Sequence, residues 1–293
     1  MPANKTNEAA GQVKPMRIAC IQMRSGLSRS RNVETATAYI REAAREGATF
    51  IATPEMTNVV DRKPRRLFEH LPFADKLEEA DHFAALSQEL GVHLLIGSMA
   101  VALNKDFGAR KMANRAHFFA PNGQTATYDK IHLFDVDLPT GESWKESATI
   151  EGGDEAVLVR TPFGGVGLSI CYDVRFAHLY RTLAKAGADI LAVPAAFTVP
   201  TGEAHWSTLL RARAIETGSF VVAPAQGGAH EDGRVTYGHS MVIDAWGRVV
   251  AEKPDDTPGV LLADVDLSLV RDVRARIPSL GLDCAANLRT YGL

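Results

Sequence analysis

Gly165-Val166-Gly167-Leu168-Ser169-Ile170-Cys171-Tyr172-Asp173 carries a run of mostly small and β-branched residues straight into a cysteine. Directly after it, Phe176, Leu179, Tyr180 and Leu183 recur at helical spacing, so the stretch reads as a strand, a turn and an amphipathic helix. A strand feeding a helix is the first half of a βα unit and predicts an α/β chain. It also sets a thiol at the strand-to-helix turn. A helix N-terminus favours the thiolate and lowers a thiol pKa from its usual value of about 8.5. An unpaired cysteine at the end of an apolar strand is more often a small buried core residue, so Cys171 alone does not identify a nucleophile.

Upstream, Met16-Arg17-Ile18-Ala19-Cys20-Ile21-Gln22-Met23 reads as a buried first strand, with Cys20 in the core. Asn32 reads as the N-cap of a helix through Arg45, with apolar positions at Val33, Ala36, Ala38, Ile40 and Ala43. Residues 48–53 form a short strand ending in Pro54-Glu55-Met56, residues 80–90 a helix closed by Gly91, and residues 92–97 another strand. The rhythm then changes. His117-Phe118-Phe119-Ala120 and Thr125-Ala126-Thr127-Tyr128 flank Pro121-Asn122-Gly123-Gln124, the signal of an antiparallel hairpin, and Lys130 leaves its second strand. Residues 135–153 are loop-like, a length that is usually functional or disordered in a compact domain.

Residues 190–194 then read as a strand, 195–204 as an irregular loop and 205–217 as a helix. Strands follow at 220–223 and 238–243, Ala245-Trp246-Gly247 turns into 248–251, and 259–264 and 267–277 add a last strand and helix. Hairpins mixed with βα units predict mixed sheets carrying helices on their outer sides.

The 293 residues, 46% hydrophobic and 23% charged, suffice for one domain over residues 16–293, preceded by a flexible polar tail over residues 1–15. No internal repeat or low-complexity tract divides it. A net charge of -3 leaves no basic surplus for nucleic acid or an anionic membrane. Cys20, Cys171 and Cys284 are far apart and form no CxxC pair, which argues against a disulfide framework or a zinc ribbon and for a reducing compartment. With no signal-like or membrane-length apolar run, the expected location is cytoplasmic.

Glu55, Lys130 and Cys171 each lie just past a predicted strand, where a sheet collects site residues from distant parts of a chain. A thiol can attack a carbonyl or nitrile carbon, a carboxylate can move its proton, and an ammonium can stabilise the oxyanion, with no cofactor or metal required. Thr53-Pro54-Glu55-Met56, Tyr128-Asp129-Lys130-Ile131-His132-Leu133-Phe134-Asp135 and Gly167-Leu168-Ser169-Ile170-Cys171-Tyr172-Asp173-Val174-Arg175-Phe176 together resemble the nitrilase superfamily of carbon-nitrogen hydrolases, over nearly all of residues 16–293.

That resemblance implies a four-layer αββα sandwich, a homodimer or higher homo-oligomer, and a Glu-Lys-Cys triad. Cys171 is then the nucleophile that forms a thioester, Glu55 the general base and acid, and Lys130 the oxyanion stabiliser. The Tyr172 backbone N–H would be the second oxyanion donor. Asp135-Val136-Asp137-Leu138-Pro139 leading to Glu146-Ser147 matches the family's second glutamate, so Glu146 rather than Glu142 would hold Lys130 and the substrate.

Arg175, four residues after Cys171, reads either as a clasp for a substrate carboxylate or as an ion-pair partner of Asp173 or another acid. With Arg175, the residues expected at the substrate are His205, Phe197 and Thr201. Ala204-His205-Trp206, Leu210-Arg211-Ala212-Arg213 and Gly238-His239-Ser240-Met241-Val242 resemble the subgroup of deaminated glutathione amidases and omega-amidases, which implies a small carboxylate-bearing amide as substrate. Ala177-His178 and Ser207 depart from that subgroup at places expected on the pocket rim.

His132 reads as a packing or supporting residue, His230-Glu231-Asp232 as a solvated turn, and Trp246 as a turn-packing aromatic. A nitrilase or N-carbamoyl amidohydrolase, an acyltransferase, a Cys-His hydrolase and a non-catalytic binding module remain alternatives.

Overall fold

Alternation along the first strand, Met16–Gln22, sets the layers. Ile18 and Cys20 join a buried cluster with Val166, Leu168, Ile190 and Val222, whereas Ala19 and Ile21 join Ala36, Ile40, Phe83 and Leu86 of the helices Arg29–Arg45 and Glu78–Leu90. A strand whose side chains point alternately to two faces can bury both only between two layers. In the computed structural model, which describes residues 16–103, 111–137, 141 and 143–292, those layers are a second sheet on one side and helices on the other. The expected tail 1–15 and Glu142 lie outside the described residues.

The first sheet runs Gly259–Val265, Met16–Gln22, Phe50–Ala52, His93–Ala102, Met112–Phe119, Thr125–Asp129. The second runs Leu158–Thr161, Gly164–Leu168, Ala188–Ala192, Phe220–Ala223, Met241–Ile243, Val249–Glu252. Read in these orders, each sheet pairs antiparallel, parallel, parallel, antiparallel, antiparallel. The two halves share one topology although no sequence repeat is visible. Helices Ala177–Lys185 and Val199–Thr217 cover the second sheet, which completes the αββα sandwich of mixed sheets. Among the described residues, no helix is long and apolar enough to cross a membrane.

Several boundaries differ from the sequence expectation. The first helix starts at Arg29, and Asn32 lies buried inside it. Its amide donates to the carbonyls of Gly26 and Asn58 while its Oδ1 accepts the Gly26 N–H, so a residue suited to capping instead ties the helix to the segment after Glu55. The helix expected at residue 205 begins at Val199, because Pro200 is acceptable in a first helical turn, where its missing N–H costs nothing. The loop-like region after Lys130 contains a short hairpin, Asp135–Asp137 against Ser143–Lys145. His230 is buried, not solvated: its ring bonds to the Ser25 carbonyl and the Thr236 hydroxyl, and the Asp232 side chain is sealed beside it.

One glycine brings the two sheet ends together. A Cβ on Gly97 would stand 2.1 Å from the Thr53 carbonyl oxygen and 2.4 Å from the Pro194 ring. Thr53 precedes Glu55, and the Pro194 carbonyl accepts the Cys171 N–H at 2.9 Å. The bare backbone at Gly97 therefore lets the two site-bearing segments approach.

On the helix-facing side of Met112–Phe119, His117 is buried and its Nε2 has no hydrogen-bond partner among the described residues. Burial pulls its pKa down to about 4, with Arg115 adding to the shift and Asp129 opposing it. Below the ordinary value of 6.5, the unfolded chain takes up a proton that the folded chain refuses until about pH 4, so stability present above pH 6.5 is lost as pH falls through that window. The loss is roughly 3 kcal/mol. His117→Phe is expected to remove most of it, measured as urea midpoints between pH 7 and 4; parallel midpoint curves for both proteins would show that His117 is not the group responsible.

Candidate active site

The strand Gly164–Leu168 does not lead straight into an α-helix. Residues Cys171–Arg175 form a short 3-10 turn, the α-helix starts at Ala177, and Cys171 has φ +50°. A non-glycine residue in this left-handed region costs on the order of 1–3 kcal/mol and persists only where its surroundings hold it. Asp173, fully buried, is the holder. Its Oδ2 accepts the Ile170 N–H at 2.8 Å and the Tyr128 hydroxyl at 2.7 Å; its Oδ1 accepts the His132 N–H at 3.0 Å and faces His132 Nδ1 at 2.7 Å. Phe176 stacks on the other face of this arrangement, its ring 3.5 Å from that of His132. His132 thus supports the turn, and Asp173 is occupied by groups other than Arg175.

Glu55 precedes Met56, which is also left-handed at φ +56°. The Ser98 hydroxyl accepts the Met56 N–H, and Gln226 donates to the Glu55 and Met56 carbonyls. Lys130, 2% exposed, reaches Glu55 Oε1 at 2.9 Å and both Glu146 oxygens at 3.0 and 2.9 Å. The Phe134 N–H donates to Glu146 Oε2. Asn114 completes the cluster: its Nδ2 donates to Glu55 Oε1 at 2.9 Å and to Glu146 Oε1 at 3.3 Å. Nothing in the sequence singled out Asn114, one of three polar residues in the strand Met112–Phe119.

Burial by itself would strip the proton from Lys130. The charges of Glu146 and Glu55, with Cys171, override it and hold the ammonium well above its ordinary pKa. Burial also pushes the Cys171 thiol well above its ordinary value; the Glu55 charge raises it further, while Lys130 and the Ala196 N–H act in the opposite sense. The expected lowering of the thiol by a helix N-terminus is therefore overturned, because the turn at Cys171 is not the start of an α-helix and desolvation dominates. The raised thiol rests neutral, with Glu55 beside it.

Glu55, Lys130, Glu146, Asn114 and Cys171 share the wall of a cavity of about 410 Å3. No acceptor among the described residues takes the Tyr172 N–H, next after Cys171. Arg175, Phe197 and Thr201 also line the cavity. Arg175 lies over the rings of Tyr172 and Phe197, 5.7 and 5.6 Å from their centres, and meets His205 Nδ1 at 3.3 Å. No carboxylate among the described residues pairs with it, which removes the ion pair with Asp173. His205 itself is exposed and stands behind Arg175 instead of in the wall. Ala177, His178 and Ser207 are exposed and outside the wall, and Trp246 is 44% exposed. No group of three or more His, Cys, Asp or Glu among the described residues is arranged to hold a metal ion.

The chain matches the carbon-nitrogen hydrolase family model over residues 17–275 and belongs to that family. As such it hydrolyses carbon-nitrogen bonds and is an amidase. It is 40% identical over 271 residues to the deaminated glutathione amidase of Synechocystis sp. (strain PCC 6803 / GT-S), covering 92% of this chain and 98% of that protein. Against the Homo sapiens protein of the same name it is 40% identical over 266 residues, 89% of this chain and 80% of that one. Among solved structures, the C. elegans NitFhit protein superposes with a TM-score of 0.82 at 37% identity; the match covers 92% of this chain but only 65% of NitFhit. Saccharomyces cerevisiae Nit3, a member of branch 10 of the nitrilase superfamily, has the same fold, with a TM-score of 0.78 at 24% identity and 90% and 95% of the two chains covered.

Asn114→Leu removes both bonds that fix Glu55 and Glu146 around Lys130. Charged hydrogen bonds contribute roughly 1.5–3 kcal/mol each, so with both lost kcat/KM for amide hydrolysis is expected to fall about 100-fold or more while the far-UV spectrum stays native. Unchanged kcat/KM would show that Asn114 does not position the carboxylates.

Proposed function

We propose that Glu55, Lys130 and Cys171 act as one catalytic unit on a small amide that carries a carboxylate, as in a 2-oxo acid. The supporting observation is the buried Lys130, bonded to Glu55 and Glu146 within the wall that Cys171 shares. Glu55 takes the thiol proton as Cys171 Sγ attacks the amide carbon. The carbonyl oxygen becomes an oxyanion between the Lys130 ammonium and the Tyr172 N–H. As it collapses, the C–N bond breaks and Glu55 passes its proton to the departing nitrogen, which leaves a thioester. Glu55 then takes a proton from water, whose oxygen attacks the thioester carbon. Collapse breaks the C–S bond, releases the acid and returns the proton to sulfur. Glu146 keeps Lys130 charged throughout and need not exchange a proton.

Arg175, a guanidinium in the wall without a carboxylate partner, suits the substrate carboxylate through a bidentate pair. The name shared by the Synechocystis and human relatives favours deaminated glutathione or a similar 2-oxo-acid amide over a nitrile or an N-carbamoyl amino acid. The enzyme is read as cytoplasmic, homo-oligomeric and independent of a cofactor.

A screen of ammonia and amine release over 2-oxo-acid amides, deaminated glutathione, N-carbamoyl amino acids and nitriles, with Cys171→Ala as blank, tests this reading. Turnover is expected on the 2-oxo-acid amides and to vanish in the blank. Preference for nitriles or carbamoyl compounds, or activity retained without the thiol, would overturn it.

A further inference from the structure

The cavity carries a second cationic region that the proposed mechanism does not use. Arg234, on Val235's strand edge, lines the wall with Trp144. Its guanidinium lies 4.9 Å from the centre of the Trp144 ring, and that of Arg62 lies 4.6 Å from the same ring. The Arg234 side chain is only 17% exposed, yet it is not held as buried guanidiniums usually are. Asp232 pairs with it only loosely: its Oδ2 lies 3.6 Å from the terminal nitrogen, within ion-pair distance but beyond hydrogen-bond reach. The Asp232 Oδ1 is taken instead by the Arg234 backbone N–H. Arg234 Nε and Trp144 Nε1 are both buried donors without an acceptor among the described residues, and Asp232 Oδ2 is without a donor. Leaving buried donors unpaired is costly, and native proteins seldom do it away from a ligand site.

Placement gives this region its meaning. Trp144 is followed by Phe134 at 6.2 Å and Tyr172 at 5.2 Å beyond that, and Arg175 lies over Tyr172. Arg175 and Arg234 thus lie over the first and last of three aromatic rings that touch in series, with Cys171 next to Tyr172. Arg234 also feels the charge of Glu55, which protonates the departing nitrogen in the reaction above, and that of Glu146. With the acyl carboxylate paired to Arg175, a second guanidinium of the same wall, Arg234, remains for the leaving amine.

We propose that Arg234 and Trp144 form a subsite for a carboxylate at the far end of the leaving amine, so that the cavity selects amides whose leaving group is a short, carboxylate-ended peptide over those that release ammonia. This rests on the amidase reading given above. The planar fork of Arg234 offers a bidentate pair to such a carboxylate, and Trp144 supplies an apolar face for the chain between.

The test compares deaminated glutathione with the same compound bearing a methyl amide in place of its glycine carboxylate, scored as kcat/KM for release of the 2-oxo diacid. The ratio of the two cancels any general effect of a variant on the triad. In the unmodified enzyme the free acid is expected to be preferred about 10- to 100-fold, the range for a charged hydrogen-bonded contact. Arg234→Gln is expected to bring the ratio close to one, Arg234→Lys to give an intermediate value, and Trp144→Phe, which keeps the ring stack and removes the Nε1 donor, to lower it by a smaller factor. A ratio near one in the unmodified enzyme, or a preference undiminished in these variants, would overturn the subsite. Should Arg234→Gln fail to fold, the unmodified ratio and Trp144→Phe decide. No turnover of either compound by the unmodified enzyme would instead overturn the substrate reading on which the subsite stands.

Discussion

An ammonium buried between two carboxylates is the constraint around which this protein is built. Lys130 cannot keep its charge at 2% exposure unless Glu55 and Glu146 both stay within hydrogen-bond distance, and neither acid tolerates burial there without the ammonium and Asn114. The three charges sum to one negative charge, facing a neutral thiol. In the proposed mechanism one acid moves protons while the other maintains the cation. That division of labour follows from coordination: Glu146 is held by Lys130 and the Phe134 N–H, whereas Glu55 also acts on Cys171 electrostatically.

The fold delivers these groups by topology. Glu55 and Lys130 come from the ends of strands in the first sheet, Cys171 from the second, and Gly97 lets the two ends meet. The identical order of pairing in both sheets gives each a parallel centre whose strand ends open on the same edge of the sandwich. Cys171 shows the consequence of location most clearly. Cys20, wholly buried, has its thiol pushed up to about 12 by burial and meets the Met241 carbonyl, while Cys171 has Glu55 and Lys130 beside it.

Much of this was legible from residue order. The apolar run Ile18-Ala19-Cys20-Ile21 marked the first strand, Pro121-Asn122-Gly123-Gln124 the hairpin, and Gly91, which does adopt a left-handed cap, the helix end. Glu55, Lys130 and Cys171 were visible because each follows a strand inside a recognisable motif. What escaped depends on partners distant in sequence. Asn114 is an ordinary strand residue until two glutamates 59 and 32 positions away converge on it. Asp173 looks like a possible mate for Arg175 until Tyr128, His132 and the Ile170 N–H occupy it. His230 sits in a polar, turn-like stretch, yet tertiary contacts with Ser25 and Thr236 bury it. The left-handed conformation of Cys171 breaks the propensity rule for a non-glycine residue, and such breaks gather at functional sites.

The central claim is that Glu55 activates an otherwise neutral Cys171 thiol, and the rate of alkylation of each cysteine by chloroacetamide, followed on separated peptides by mass spectrometry, tests it most directly. Cys284, exposed, is the internal reference, and buried Cys20 the unreactive control. Cys171 is expected to label faster than Cys284, and Glu55→Gln to slow Cys171 on the order of a hundredfold, the range of general-base assistance, without altering Cys284. Equal labelling of Cys171 and Cys284, or a Cys171 rate indifferent to Glu55→Gln, would contradict it.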